Sequence, residues 1–240
     1  MTTLLISDLH LDEYRTDITE LFLRFLKTDA KKADALYILG DFFEVWIGDD
    51  NLSSFNQTII SALKLATDQG LPIYLMHGNR DFLLGKKFLR QTGCKLLPDE
   101  YVVDLYGSPT LLLHGDTLCT EDKAYLKFRK KARNRFLQKL FLLKSLETRL
   151  AIAKKYREAS KAHTSTASDF IMDVTQEEVE RVMKKHGVQH LVHGHTHREA
   201  VHQFELNNRP ATRTVLGAWH THGSVLVCTP DGKKELVELS

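Results

Sequence analysis

Cysteine is scarce in this chain. Its three residues, Cys94, Cys119 and Cys228, are unclustered and odd in number. That excludes a disulfide-stapled scaffold and a thiolate zinc site, and it fits inert thiols in a reducing compartment. Proline and glycine are also sparse, at five and thirteen of 240 residues, and form no linker, repeat or low-complexity tract. No apolar run is long enough to span a bilayer. The N-terminus leads straight into a strand pattern with no basic n-region and no small-residue cleavage site, so we expect no secretory signal and a cytosolic protein. What is present suits one domain of residues 1–240 with an elaboration, its 42% hydrophobic content being ample for a core.

Five short polar segments stand out: Asp8-Leu9-His10, Gly40-Asp41, Gly78-Asn79-Arg80-Asp81, His114-Gly115-Asp116 and Gly194-His195-Thr196-His197. Each follows an apolar run (Thr3–Ile6, Leu36–Leu39, Ile73–Met76, Leu111–Leu113, Leu191–Val192) of the kind that forms strands buried on both faces. The polar groups therefore sit where strands end, the place at which open α/β sheets build their sites. Two divalent ions held close together need one bridging carboxylate, and Asp41 is the natural bridge. On extended backbone alternate side chains leave one face, so Asp8 with His10, and His195 with His197, are expected to converge. An all N/O donor set favours manganese or iron. A lone Asp-x-His or Gly-Asp is usually a turn or a cap; five such segments in order, each behind a strand, are not.

The order of the segments resembles that of the calcineurin-like metallophosphoesterases: Asp-x-His, Gly-Asp, Gly-Asn-x-Asp, His and Gly-His-x-His. The resemblance implies an α/β fold of two packed mixed sheets flanked by helices (an α/β/β/α sandwich), with a helical insertion capping the active site. It implies that one divalent ion is held by Asp8, His10, Asp41 and His197, and a second by Asp41, Asn79, His114 and His195. We take both ions to be manganese. Asp41, Asn79, Arg80, His114 and His195 are the candidate catalytic residues. Where the broad family has a histidine that protonates the leaving alkoxide, this chain has Arg80, which cannot give up a proton. The leaving group should then be a weak base, as a sugar phosphate leaving a pyrophosphate is, and Arg80 would neutralise charge. The alternative is a structural ion pair between Arg80 and Asp81.

Residues 121–170 carry fourteen Lys/Arg and five Asp/Glu, a balance of +9 in a chain of +2, which leaves −7 elsewhere. The stretch lacks proline and glycine and should be helical. Tyr125, Phe128, Ala132 and Phe136 recur at helical spacing, and a second apolar group runs from Leu137 through Phe141 to Leu143. Such a basic, amphipathic lid can lie on an anionic membrane or cap a site for an acidic amphiphile; a helical hairpin packed on the domain is the plainer alternative. Apolar residues beside the motifs, Phe42, Phe43, Val45, Trp46 and Ile47 after Asp41 and Phe82, Leu83 and Leu84 after Asp81, suggest a lipid-binding site.

Longer stretches, 33–41, 77–86, 113–120 and 192–198, resemble the bacterial UDP-2,3-diacylglucosamine pyrophosphatase family of lipid A synthesis, over nearly the whole chain. That resemblance implies metal-assisted hydrolysis at the phosphorus next to uridine, releasing UMP and 2,3-diacylglucosamine 1-phosphate. It implies a protein peripheral on the cytoplasmic face of the inner membrane, with no nucleic acid and no obligate protein partner. Substrate contacts carry over to Asn79, Arg80, Asp122, Ser160 and His195. Thr164, also a candidate contact, and Ala167 stand where the family has Asn and Lys; Lys161 or His163 could compensate. Trp46, Phe82, Phe128 and Phe141 are candidates for the acyl chains. His220 and His222 imitate His-x-His, but both ligand sets are complete without them, and Glu44, Asp49 and Asp50 read as supporting groups. Two rival classes are a nuclease or nucleotide phosphodiesterase, whose bases would want exposed aromatics among the charges, and a non-catalytic scaffold, which would have lost ligands.

Helical patterns at Ile18–Leu26, Phe55–Gln69 and after Thr175 read as scaffold, with Asp17 serving the first helix start. Arg213–Leu216, Val225–Cys228 and Glu235–Leu239 read as strands completing a second sheet.

Overall fold

The computed structural model describes residues 2–166 and 173–240, with side chains described except at 161–166. The strands are β1 (Thr3–Ile6), β2 (Ala35–Ile38), β3 (Ile73–Leu75), β4 (Lys95–Leu96), β5 (Glu100–Asp104), β6 (Pro109–Leu113), β7 (His190–His193), β8 (Ala200–Leu206), β9 (Arg209–Val215), β10 (Gly223–Cys228) and β11 (Lys234–Leu239). The helices are α1 (Thr16–Lys27), α2 (Ser54–Asp68), α3 (Lys86–Thr92), α4 (Lys123–Ala132), α5 (Arg135–Leu142), α6 (Leu146–Thr166) and α7 (Gln176–His186).

Two mixed sheets form, in the orders β11-β10-β1-β2-β3-β4 and β5-β6-β7-β9-β8. Strands β1 to β4 are parallel, as are β6, β7 and β9; the remaining pairings are antiparallel. The two-residue period of a strand assigns the faces. Leu4, Ile6, Leu36, Ile38, Ile73 and Leu75 pack with Phe22, Phe25, Ile59, Leu63 and Phe88 of the helices on one side. Leu5, Tyr37, Leu39 and Leu226 pack with Leu111, Leu112, Leu191 and Val192 of the other sheet, a cluster that Val179, Val182 and Met183 of α7 join. The result is a layered α/β/β/α arrangement.

The last strands correct one expectation. Only the Arg213 segment enters the second sheet; β10 pairs antiparallel with β1, and β11 follows it, so both extend the first sheet. Asp17 serves the start of α1 from within its first turn, where it pairs with Arg15, and not as a side-chain cap.

The described part of the basic stretch is helical, as α4, α5 and α6. Asp122 caps α4 by accepting the Tyr125 N–H at 2.8 Å, and Asn134 caps α5 through the N–H groups of Phe136 and Leu137. Its hold on the domain is polar. Tyr125 donates to the buried Asp116 carboxylate, Arg129 reaches the same carboxylate at 2.6 Å, and Arg133 donates to the Gly78 carbonyl at 3.0 Å. On α6, Arg149 is only 2% exposed; it donates to the Ile47 carbonyl at 2.8 Å and pairs with Asp50.

Candidate active site

The ends of β1, β2, β3, β6 and β7 deliver all five motifs to one place. The local geometry is not extended, as the spacing suggested. Asp8, His10, Asp41, His195 and His197 all take left-handed backbone conformations, with φ between 48° and 70°, and convergence comes from these sharp turns. Gly40 has φ 92°, and a Cβ there would lie 2.7 Å from Gly78 and from the His114 ring, so only glycine lets the loops approach so closely.

His10 Nε2 lies 3.2 Å from His197 Nε2, and His197 Nε2 lies 3.4 Å from Asp8 Oδ1. His114 Nε2 and His195 Nδ1 face Asn79 Oδ1 at 3.0 and 2.9 Å. Asp41 stands between the two groups: Oδ2 is 3.9 Å from His10 Nε2, and Oδ1 is 3.7 Å from His114 Nε2. Asp8, Asp41 and His114 also bring ligand atoms within 4.8 Å of one another, so Asp8 sits nearer the second group than expected.

These residues fit a pair of divalent ions. Asp8 Oδ1 is buried and makes no hydrogen bond, a costly condition unless a cation sits beside it. Adjacent ligands of an octahedral ion with bonds of about 2.1 Å lie about 3 Å apart, close to the separations above. The ring orientations agree. His10 Nδ1–H donates to Glu44 Oε2 at 2.8 Å, and His114 Nδ1–H donates to the Leu39 carbonyl at 2.8 Å, which leaves each Nε2 lone pair free to bind. Burial would raise the Asp8 carboxyl, but the imidazoles of His197, His114 and His10 outweigh it and hold it below the usual carboxylate range. Burial lowers His195 to about 4, so this ring is neutral and able to act as a ligand. Behind it, burial and Arg213 push the fully buried His193 down to about 3.

Asp81 takes no part in an ion pair with Arg80. Its oxygens accept the N–H groups of Gly78 and Phe42, both at 2.8 Å, and it is fully buried. The Arg80 main-chain N–H donates to Asp41 Oδ1 at 2.8 Å, while its side chain lines a cleft beside His10 and His197 with a buried, unpartnered Nε. The thiols of Cys94, Cys119 and Cys228 are buried, and burial pushes them up to between about 11 and 12, as expected of inert cysteines.

Several apolar candidates belong to the core instead. Trp46 is buried against Phe43 and Phe88, its indole N–H donating to Asp49, and Phe42, Phe43, Ile47 and Leu84 are buried with it. Trp46 thus does not line the cleft. Phe82, Phe128 and Phe141 are half-buried; Arg133 lies over the Phe82 ring, and Phe128 meets Tyr156 of α6. Ser160 lies on the described part of α6, while the side chains of Lys161, His163 and Thr164, and all of Ala167, fall outside the described residues. Sequence reading missed Arg157, which donates to the Glu44 carbonyl at 3.2 Å and pairs with its carboxylate; one more arginine in a basic run carries no signal.

The family description "Calcineurin-like phosphoesterase" matches residues 1–199. The chain belongs to the calcineurin-like phosphoesterase family. Within this family it is similar to proteins named UDP-2,3-diacylglucosamine hydrolase. The one from Photobacterium profundum is 54% identical, over 98% of this chain and 96% of the relative, and that from Pseudomonas aeruginosa is 51% identical over 98% of each. Among solved structures, an archaeal phosphodiesterase matches all of both chains at 13% identity and TM-score 0.50. Vacuolar protein sorting 29 from Cryptosporidium parvum matches at 16% identity and TM-score 0.50, covering 99% of this chain and 95% of that one. At such identities these two likenesses show only that the phosphoesterase fold is shared.

Proposed function

We propose that this chain hydrolyses the pyrophosphate bond of UDP-2,3-diacylglucosamine, releasing UMP and 2,3-diacylglucosamine 1-phosphate. The observation that carries the reading is near-full-length identity of 51–54% to proteins named for that hydrolysis. The site chemistry agrees with it.

Asp8, His10, Asp41 and His197 would hold one divalent ion, and Asp41, Asn79, His114 and His195 the other, manganese suiting the N/O donors. When bound, such a pair supplies Lewis acidity and charge neutralisation at the phosphoryl oxygens. The chain supplies the rest. Glu44 and the Leu39 carbonyl hold the His10 and His114 rings in register. Asn79 faces the reacting centre between two imidazoles, and Arg80 offers an uncommitted guanidinium to the diphosphate. Because the departing sugar phosphate is a weak base, no proton donor is required, and arginine at position 80 suits this leaving group better than an alkoxide.

The insertion fits an amphiphilic substrate at a membrane surface. Phe136, Leu140 and Leu143 follow one stripe and are exposed, Phe136 to 67% and Leu143 to 82%, with Arg135, Lys139 and Lys144 beside them. An apolar stripe rimmed by cations matches the interface of an anionic bilayer. No described helix is long and apolar enough to cross one. The half-buried Phe128 and Phe141, with Phe82, would meet the acyl chains, and Asp122, Ser160 and Thr164 the sugar.

Incubation with manganese and UDP-2,3-diacylglucosamine, beside bis(p-nitrophenyl) phosphate and single-stranded DNA, tests the reading. UMP release from the lipid far faster than cleavage of the other two is expected. Preferential DNA cleavage would make the chain a nuclease, and no turnover of any substrate would make it a scaffold.

A further inference from the structure

Helix α6 presents two stripes. Ile152, Tyr156 and Ser160 recur every four residues, and Tyr156 packs 5.2 Å from the Phe128 ring of α4. Leu150, Ala153, Lys154, Arg157 and Glu158 form a second stripe, turned by roughly a third of the helix circumference at about 100° per residue. This second stripe lines a cleft of about 610 Å³ together with His10 and His197. That volume lies within the roughly 300–1,000 Å³ of small-molecule sites.

Asp12, Arg15, Arg80 and His220 line the cleft as well. Arg15 is not free to bind a ligand: it forks onto Asp17 and donates to the His220 carbonyl, and so fixes the loop that presents His220. The His220 ring lies 5.6 Å from that of His197. Lys154, by contrast, has no ion pair or hydrogen bond among the described residues, and the side chain of Arg80 likewise has none. Ten of the cleft's fourteen lining residues are charged or carry an imidazole, which offers a phosphate its counter-charges, and Val45, Leu150, Ala153 and Trp219 add apolar surface.

A diester of diphosphate has two arms that meet at the reacting phosphorus. On the hydrolase reading, on which this inference rests, the diacyl sugar meets the α4 side of α6, where Phe128, Tyr156 and Ser160 lie. We propose that the cleft on the other side of α6 is the subsite for the nucleoside monophosphate arm. Lys154 meets its phosphate across from Arg80, Asp12 and Glu158 accept from ribose hydroxyls, and the His220 ring gives the base a surface to stack on. Arg157 and Glu44, paired with each other, line the same cleft.

Calorimetric titration of UMP, and separately of 2,3-diacylglucosamine 1-phosphate, into the manganese-loaded chain tests this. Lys154→Ala and His220→Ala should each weaken UMP about three- to tenfold, the range for one exposed charge-assisted or stacking contact. The same variants should leave the sugar phosphate unaffected, while Tyr156→Ala should do the reverse. Bound manganese measured alongside distinguishes loss of the cleft contact from damage to the metal centre. Unchanged UMP affinity in both cleft variants, or equal loss of both ligands with metal content intact, would overturn the proposal. A chain that fails to hydrolyse the lipid diphosphate yet loses UMP affinity in Lys154→Ala would refute the substrate reading and uphold the nucleotide cleft.

Discussion

Removing the Arg80 side chain should cost turnover and almost no stability. The guanidinium has no ion pair among the described residues, and the carboxylate next to it, Asp81, already accepts two main-chain N–H groups. The contacts Arg80 makes to the fold are main-chain ones, its N–H to Asp41 at 2.8 Å and its carbonyl to the Trp46 N–H at 3.2 Å, and these survive substitution. Arg80→Ala should therefore change unfolding free energy by no more than about 0.5 kcal/mol. Each charge-assisted hydrogen bond lost from the transition state costs about 1.5–3 kcal/mol, so turnover should fall about ten- to 150-fold per bond. The assay is UMP release at saturating lipid with manganese, run beside a thermal melt. Arg80→His should not rescue, because an unperturbed imidazole is mostly uncharged at neutral pH. A histidine variant as fast as the parent, with a new pH dependence near about 6.5, would show that proton donation is needed and that the account of Arg80 is wrong. A large drop in melting temperature in Arg80→Ala would refute the claim that the side chain is uncommitted.

Asp41→Ala should bring bound metal well below two ions per chain and abolish turnover; metal analysis that still finds two ions would remove Asp41 as the bridge. Replacing Phe136, Leu140 and Leu143 together by serine should weaken co-sedimentation with anionic vesicles at least tenfold, since burying even half of each side chain contributes about 1 kcal/mol. Equal sedimentation of variant and parent would make the exposed stripe irrelevant to membranes. His193 offers a pH test in metal-free protein. Its folded value of about 3 lies below the ordinary 6.5, so its contribution is complete above pH 6.5 and is lost as pH falls toward 3. The stability advantage of the parent over His193→Gln should shrink by about 2 kcal/mol between pH 7.5 and 5 in urea unfolding, and a constant difference would contradict the assignment.

The motifs were legible because each is local: a run of β-branched or leucine residues marks the strand, and the Gly, Asp and His after it mark its end. The same locality limited the rest. Helix α3 has no cap of its own; Asp49, far away in sequence, accepts the N–H groups of Gly85, Lys87 and Phe88, so its start carries no neighbouring signal. Strand β4 is two exposed residues, Lys95 and Leu96, held only by pairing with β3. Which sheet β10 and β11 join is decided by non-local pairing with β1, to which hydrophobic pattern is blind. The apolar residues after Asp41 looked like a lipid surface because composition does not distinguish a buried aromatic cluster from a cleft wall; Phe88 packs edge to face on both Phe43 and Trp46 inside the first core. Arg149, buried in a basic run, could not be told from its solvated neighbours.

The left-handed conformations of the motif residues bear on how the centre works. Five of the seven expected ligands adopt them, each at a cost of order 1–3 kcal/mol, and such strain persists only where the surroundings over-determine it. The surroundings here are the other motifs. Asp8 N–H donates to the Gly40 carbonyl at 3.1 Å, His10 N–H to the Asp41 carbonyl at 3.0 Å, His195 N–H to the Asp8 carboxylate at 2.8 Å, and Trp219 N–H to the Asp8 carbonyl at 3.1 Å. The ligand loops brace one another, so the donor set is organised by the fold before any ion arrives. The bracing is unequal, however. The His114 ring is buried and held by a main-chain carbonyl of the sheet, whereas His10 is held by the side chain of Glu44, which is itself held by Arg157 of the insertion, and His197 is 34% exposed. Whatever shifts α6 therefore reaches His10 through two side chains, Arg157 and Glu44, while α4 of the same insertion touches the other ligand group directly, the Tyr125 ring lying 6.1 Å from that of His195 and Arg133 donating to the Gly78 carbonyl beside Asn79.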